Sequence, residues 1–204
     1  MKNNDISFFF NPKSIAVIGA SPVSGKLSHV IMNSLKEIGY PGAIYPVNPK
    51  YESIDGMECY QSVADIKANV DVAILCIPAS TVLGAMKDVV TKKVEGAIIV
   101  SAGFKETGKD GAEIEEKLKK ISNETGIRIM GPNCLGIFDN ISKIDTFFVL
   151  RERVKRPPAG GLSILSQSGS FAGTIMDELS AEGLGVAKII NYGNRVDVGE
   201  TDCL

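Results

Sequence analysis

Apolar residues are grouped in short runs that alternate with segments of helical spacing. The runs that predict buried parallel strands are Ser14–Gly19, Ala43–Val47, Asp71–Ile77, Gly96–Ser101 and Ile127–Met130. Between them, residues 26–38, 80–93 and 110–124 predict amphipathic helices, the second with Ser80 or Thr81 as its N-cap. Strands that alternate with helices predict an α/β fold with a doubly wound parallel sheet, whose ligands bind at the carboxyl ends of the strands.

A second unit begins after a change in composition. Residues 151–161 are basic and then rich in Pro and Gly, which favours an interdomain linker over the alternative of a surface loop. A strand at Leu162–Leu165, a helix over 170–182 and a strand at Val186–Ile190 follow. Because these elements are too few to bury a core, we expect a second domain that is truncated or completed by another chain. The expected divisions are a first domain over 1–145, a linker over 146–161 and a partial domain over 162–204.

Composition and charge exclude several classes of function. A net charge of −2 and a pI near 5.5 argue against nucleic-acid and anionic membrane partners. The apolar runs are too short to cross a bilayer, and the N-terminus lacks the apolar core of a signal peptide, so we expect a cytoplasmic location. The four cysteines form no CxxC pair and the only histidine is His29, so we expect buried or incidental thiols and no metal site.

The loop between the first strand and the first helix has the composition of a phosphate-binding loop. Gly19 and Gly25 would let the backbone approach a ligand closely, and Ser21, Ser24 and Lys26 add hydrogen-bond donors. The N–H groups and dipole of the following helix favour an anion at this point. The spacing fits neither a Walker A loop nor the G-x-G-x-x-G pattern. An ordinary tight turn is the alternative.

The second strand ends in Asn48-Pro49-Lys50. In dinucleotide-binding proteins an acidic residue at this point accepts hydrogen bonds from a free ribose hydroxyl. A lysine instead favours a ribose that carries its own phosphate. The residues by themselves leave NADP and coenzyme A (CoA) as open alternatives.

Three further strand-end loops are expected to line the same crevice. They are Ile77-Pro78-Ala79, Ser101-Ala102-Gly103-Phe104 and Gly131-Pro132-Asn133-Cys134. Asn133 could orient a carbonyl group, whereas no histidine base is predicted near Cys134, so we do not expect covalent catalysis there. The segment Ser166-Gln167-Ser168-Gly169-Ser170 follows a strand and opens a helix, which predicts a second anion site, with a plain helix N-cap as the alternative.

Taken in order, these segments resemble the NDP-forming acyl-CoA synthetases, a family that includes ADP-forming acetate–CoA ligases and is related to the α subunit of succinyl-CoA synthetase. The matching segments are Ile15–Ser21, Tyr45–Tyr51, Ser101–Phe104, Gly131–Gly136 and Ser166–Gly169. The resemblance covers nearly the whole chain. It implies a Rossmann-like CoA-binding domain followed by the first part of a flavodoxin-like domain.

The resemblance also implies roles for individual residues. Gly19, Ser21, Gly25 and Lys26 would hold the phosphates of CoA, and Lys50 would pair with its ribose 3′-phosphate. Ile77, Pro78, Ala79, Ser101, Ala102 and Gly103 would contact the adenosine and pantetheine groups, while Asn133 and Cys134 would lie near the thiol. Residues Ser166 to Ser170 would hold the phosphoryl group of a phosphohistidine.

The implied reaction reversibly converts acyl-CoA, ADP and phosphate to a carboxylic acid, CoA and ATP through an acyl phosphate and a phosphohistidine. The resemblance places that histidine beyond Leu204, and it places ATP, ADP and Mg²⁺ in an ATP-grasp part, on this chain or on a β subunit of an oligomer. We therefore expect the 204 residues alone to be inactive. A non-catalytic regulatory CoA module and an NADP-linked oxidoreductase domain are the alternatives.

Overall fold

The computed structural model describes residues 5–204; the first four residues, part of the N-terminus in which we expect no signal peptide, lie outside the described residues. The strands are β1 (Ser14–Ile18), β2 (Ala43–Val47), β3 (Ser53–Ile54), β4 (Met57–Glu58), β5 (Val72–Leu75), β6 (Gly96–Ile99), β7 (Arg128–Met130), β8 (Gly136–Asp139), β9 (Ile144–Asp145), β10 (Ala159–Ser166) and β11 (Val186–Asn191). The helices are α1 (Leu27–Ile38), α2 (Ala79–Thr91), α3 (Lys109–Thr125) and α4 (Gly169–Ala181).

The main sheet is parallel, with the strand order β2-β1-β5-β6-β7. Every residue of β1, β5, β6 and β7 is buried, because helices cover both faces of the sheet. Alternate residues divide between the two faces: Ile15 packs with α1, and Ala16 packs with α2 and α3. The predicted doubly wound α/β sheet is therefore confirmed.

A second sheet has the order β10-β11-β8-β9, with β10 and β11 parallel and β8 antiparallel to both of its neighbours. The sequence patterns did not predict β8 and β9. Helix α4 covers one face of this sheet and α1 contacts the other. The domain division at residue 145 stays a prediction, although the sheet that contains β10 and β11 already begins at Gly136.

Two predicted details are wrong. The residue before α2 is Pro78, and Thr81 lies inside the first turn, where its hydroxyl donates to the Pro78 carbonyl at 2.8 Å. The N-cap at Ser80 or Thr81 fails because the backbone already becomes helical at Ala79. Strand β10 begins at Ala159 rather than at Leu162, because a bulge lets both of these residues pair with Val186.

Part of the segment expected to be a linker is held by a buried carboxylate. Arg151 and Arg156 both donate to the side chain of Asp145, which is fully buried. Arg151 also lies 2.9 Å from the carboxylate of Glu37 in α1. These contacts hold the segment that connects the two sheets against the core. Within residues 5–204, the helices lack the length and apolar character that crossing a membrane would need.

Candidate functional site

The strand order places the predicted ligand-binding loops along one edge of the main sheet. From β2 to β7, the carboxyl ends lead in turn to Lys50, Gly19, Pro78, Gly103 and Asn133. Neighbouring strands lie about 4.8 Å apart, so these five strand ends span about 19 Å. Such an edge suits an extended ligand with different chemical groups at its two ends.

The first loop has the geometry of an anion site. Gly19 has φ +85°, and a Cβ there would lie 2.6 Å from the Cys76 carbonyl oxygen, so a side chain cannot be accommodated. The amides of Gly19 and Ala20 both donate to the Val47 carbonyl, which fixes the start of the loop against β2. Within the described chain no side chain caps α1, so the N–H groups of its first turn face outward for an anion.

Asn48 connects this loop with the lysine that follows β2. Its side chain donates to the Ala20 carbonyl at 2.7 Å and accepts from the Lys50 amide at 3.0 Å. A cavity of about 660 Å³ opens between these segments. The predicted residues that line it are Gly19, Ser21, Lys26, Lys50, Ile77 and Pro78. Two lysines and an uncapped helix therefore face one cavity.

Sequence reasoning missed one wall of this cavity. Gln61, Ser62 and Val63 line it after the β3–β4 hairpin, and Asp88 of α2 adds a carboxylate. The Ser62 hydroxyl donates to Asp88 at 2.9 Å, which joins this wall to α2. The spacing of Ser62 and Asp65 was a usable signal, because these residues form a capping box.

A second cavity, of about 770 Å³, lies between the loop after β7 and the N-terminus of α4. The predicted residues that line it are Asn133, Cys134, Gln167, Ser168, Gly169 and Ser170. Apolar side chains of Leu135, Phe148, Val149 and Val154 form another part of its lining. The Ser168 hydroxyl accepts the Phe171 amide at 3.3 Å and so caps α4. The site combines a helix N-terminus with an apolar wall.

Asn191, which the sequence analysis did not single out, holds this second cavity together. It is fully buried at the end of β11, where its side-chain amide donates to the carbonyls of Ser166 and Gln167. Its side-chain oxygen accepts from the Leu135 amide at 2.6 Å. A polar residue at the end of an apolar strand was the only sequence signal for it.

Two protein families match the two parts of the chain. The sequence model of the CoA binding domain family matches residues 13–140, more than half of the chain. The chain belongs to the CoA binding domain family. A second model, the succinyl-CoA ligase like flavodoxin domain, matches residues 159–204.

Relatives of this CoA binding domain support the same grouping. The chain is 39% identical over 203 residues to an ADP-forming acetate–CoA ligase of Methanocaldococcus jannaschii, covering 100% of this chain and 28% of the relative. It is 36% identical over 199 residues to the α subunit of ADP-forming acetate–CoA ligase II of Pyrococcus furiosus, covering 98% of this chain and 42% of the relative. The chain thus spans less than half the length of either relative.

A solved structure confirms the fold. The dinucleotide forming acetyl-coenzyme A synthetase 1 of Ca. Korarchaeum cryptofilum, in complex with phosphate and ADP, matches with a TM-score of 0.92 and 33% identity. The match covers 98% of this chain and 42% of that one. The expected resemblance to NDP-forming acyl-CoA synthetases is confirmed, and so are the Rossmann-like and flavodoxin-like parts.

Some predicted residues of the CoA binding domain lie between the two cavities rather than in either. Gly103 has φ +106°, and a Cβ there would lie 3.2 Å from the side chain of Ala79. The Ser101 carbonyl accepts the Asn133 amide at 2.9 Å, which connects the loops after β6 and β7. Ala79 and residues 101–103 line neither large cavity but occupy the sheet edge that separates them.

Three residues of the predicted anion sites, Ser24, Gly25 and Ser166, line neither large cavity. Ser24 and His29 line a smaller cavity of about 180 Å³ on the other side of the loop. Gly25 has φ +81° and open space around it, and it lines neither large cavity. Ser166 points back into its own loop, where its hydroxyl donates to the Ser168 carbonyl.

Cys134 is unsuited to nucleophilic chemistry. Only 3% of the residue is exposed, and its thiol donates to the Ile99 carbonyl at 3.4 Å. Burial raises the pKa of the Cys134 thiol to about 12, so the thiol is neutral at pH 7. The residue contributes shape to the second cavity rather than a reacting atom.

Proposed function

We propose that this chain is the CoA-binding part of an ADP-forming acyl-CoA synthetase. CoA would lie extended along the carboxyl edge of the main sheet, with its phosphorylated ribose at Lys50 and its thiol near Asn133. The observation that carries the proposal is the order of the strand ends, which runs from a lysine cavity to a second cavity beside a helix N-terminus. A span of about 19 Å suits a ligand of that extended shape.

At the phosphate end, the roles follow from charge and access. Gly19, Ser21 and Lys26 line the first cavity beside the uncapped start of α1, where a diphosphate would be stabilised. Gly25 would allow the turn of this loop before α1, because its backbone has the left-handed conformation that glycine adopts without strain. Lys50 would supply a separate cation for the 3′-phosphate.

At the thiol end, the N-terminus of α4 would hold the transferred phosphoryl group. In the direction of acyl-CoA synthesis, the CoA thiol would attack the carbonyl carbon of an acyl phosphate. The S–C bond forms, the acyl C–O bond breaks, and phosphate leaves with the proton that the thiol loses. The amides beside Ser168 and Gly169 would offset the charge on that phosphate. The phosphohistidine, and an ATP-grasp part that binds ATP, ADP and Mg²⁺, would be supplied outside these 204 residues.

The flavodoxin-like match over residues 159–204 favours this proposal over a regulatory CoA module. A module that only sensed CoA would have no use for a second cavity at the thiol end. The CoA binding domain match over residues 13–140 disfavours the NADP-linked alternative, which Lys50 alone does not exclude because NADP also carries a phosphorylated ribose.

Isothermal titration of the Lys50→Ala variant with CoA and 3′-dephospho-CoA tests the proposal. We expect the unaltered protein to bind CoA with micromolar affinity, and the variant to lose about tenfold for CoA, because one charge-assisted hydrogen bond contributes about 1.5 kcal/mol. Binding of 3′-dephospho-CoA should change less than about twofold, since that ligand lacks the group that Lys50 contacts.

Two controls accompany this experiment. Lys26→Ala should weaken both ligands, because both carry the diphosphate, and Lys67→Ala, at an exposed lysine away from the cavity, should weaken neither. Equal losses for the two ligands in Lys50→Ala would contradict the assignment of the 3′-phosphate. Tighter binding of NADP than of CoA would contradict the proposed function as a whole.

A further inference from the structure

Asn194 lies in the turn after β11 and connects the flavodoxin-like part of the chain to the CoA binding domain. It is only 7% exposed. Its side-chain amide group donates to Glu106 at 2.7 Å and to the buried Glu115 of α3. Its side-chain oxygen faces the amide group of Asn133 at 3.4 Å. The two ends of the side chain are therefore distinguished: N–H groups face carboxylates, and the oxygen faces a donor.

Glu106 carries this contact to the loop after β6. Its second carboxylate oxygen accepts the amides of Gly103 at 2.7 Å and Phe104 at 3.0 Å. Burial alone would raise the pKa of Glu106, but hydrogen bonds from Phe104, Asn194 and Gly103 together hold it below its usual value. The ionised carboxylate thus joins Asn194 to the backbone of residues 103–104.

The backbone of the same turn is packed against the loop after β7. The Asn194 amide donates to the Pro132 carbonyl at 2.9 Å, and its carbonyl accepts from the Lys105 ammonium at 2.7 Å. Gly193 has φ +61°, and a Cβ there would lie 2.4 Å from the Pro132 oxygen. The turn is therefore fixed to both strand-end loops at close range.

We propose that Asn194 is a positioning residue that holds the loops after β6 and β7 in register to receive the pantetheine arm and thiol of CoA. This inference rests on the proposed function. The amide is required because it donates to two carboxylates at once, whereas a carboxylate of the same shape would repel both. Asn194 is not among the residues that line the first cavity, where the phosphates would bind.

Asn194→Asp preserves the shape of the side chain and changes its charge. The charged groups that face position 194 are Lys105 and Glu106, from a short 3-10 helix (Lys105–Thr107) after β6, and Glu115 from α3. At pH 8 the new carboxylate is repelled by two glutamates, and we expect CoA affinity about tenfold below that of the unaltered protein. The neighbouring carboxylates should raise the pKa of the new carboxyl, so at pH 5.5 more of it is protonated and can donate one hydrogen bond. The ratio to the unaltered protein should then return to within about threefold.

Adenosine 3′,5′-bisphosphate, which lacks the pantetheine arm, separates positioning from general damage. Its affinity should change less than about twofold in Asn194→Asp at either pH. The double variant Glu106→Gln with Asn194→Asp should regain most CoA affinity at pH 8, because the glutamine amide can donate to the new carboxylate. Asn123→Asp, at an exposed position of α3, is the matched control and should leave both affinities unchanged.

The outcomes separate the two proposals. Equal weakening of CoA and adenosine 3′,5′-bisphosphate, or a loss of CoA affinity that is the same at both pH values, overturns the role of Asn194. No change in CoA affinity overturns it as well. Failure of the unaltered protein to bind CoA overturns the proposed function, and this inference with it.

Discussion

At the scale of single residues, two glycines of the first loop share a backbone conformation but differ in their surroundings. Gly19 and Gly25 have φ values of +85° and +81°. A Cβ at Gly19 would lie 2.6 Å from the Cys76 carbonyl oxygen, whereas nothing lies within 4 Å of one at Gly25. The pair therefore separates the conformational cost of a side chain from its steric cost.

Gly25→Ala should lower the free energy of unfolding by about 1–2 kcal/mol, the cost of a left-handed backbone conformation for alanine. Gly19→Ala should lower it by about 1–3 kcal/mol more, because β1 must also move away from β5. Urea unfolding without ligand measures both values. Equal losses in the two variants would show that the loop relaxes around the added methyl group.

At the scale of elements, the segment after β11 pairs with the outer edge of β7, the last strand of the main sheet. The amides of Val196 and Val198 donate to the carbonyls of Gly131 and Ile129. Asp197, between them, accepts from the side chain of Arg128 at 3.0 Å and from the Ile129 amide at 2.8 Å. A buried ion pair thus attaches a segment of the flavodoxin-like part to the edge of the main sheet.

Arg128→Ala should lower the free energy of unfolding by about 3–5 kcal/mol, since it leaves the Asp197 carboxylate buried without its cation. The side chains of Arg128 and Asp197 are only 3% and 2% exposed. Arg195→Ala is the matched control, because Arg195 pairs with Glu200 at the surface and its loss should leave the unfolding midpoint unchanged. Similar midpoints for the two variants would show that the Arg128 pair contributes no more than a surface pair.

At the scale of the whole molecule, α1 lies between the two sheets and belongs to both cores. Its residues Ile31 and Leu35 share one apolar cluster with Val17 of the main sheet and with Ile137 and Ile190 of the second sheet. The helix that begins at the proposed phosphate site is therefore also the element that joins the two parts. The sheets are expected to unfold together.

Leu35→Ala tests this joint core. The side chain is fully buried, so its truncation should lower the free energy of unfolding by about 2–5 kcal/mol. Native-state hydrogen exchange should show the same loss for amides of β5 and β11, which lie in different sheets. Loss of protection confined to one sheet would mean that the two parts open independently.

Much of the site follows from local patterns. The continuous apolar runs predicted β1, β5, β6 and β7, because burial on both faces leaves little freedom in composition, and a further run predicted the partly exposed edge strand β2. The same runs predicted where β1 and β2 end, and therefore the positions of the loop before α1 and of Lys50. Asn191 and Asn194 could not be predicted, because their roles depend on loops that are distant along the chain and meet only in the folded molecule.

The sequence by itself determined the parallel α/β sheet, the helices, the resemblance to acyl-CoA synthetases and the residues of the ligand-binding loops. These features can be predicted from the sequence because they depend on short-range periodicity and on contiguous motifs. The tertiary structure alone decided that β8 and β9 join the second sheet, that residues 61–63 form a wall of the first cavity, and that α1 serves both cores. Each of these depends on pairing between distant segments, such as Lys188 with Asp139, whose partners no local pattern identifies.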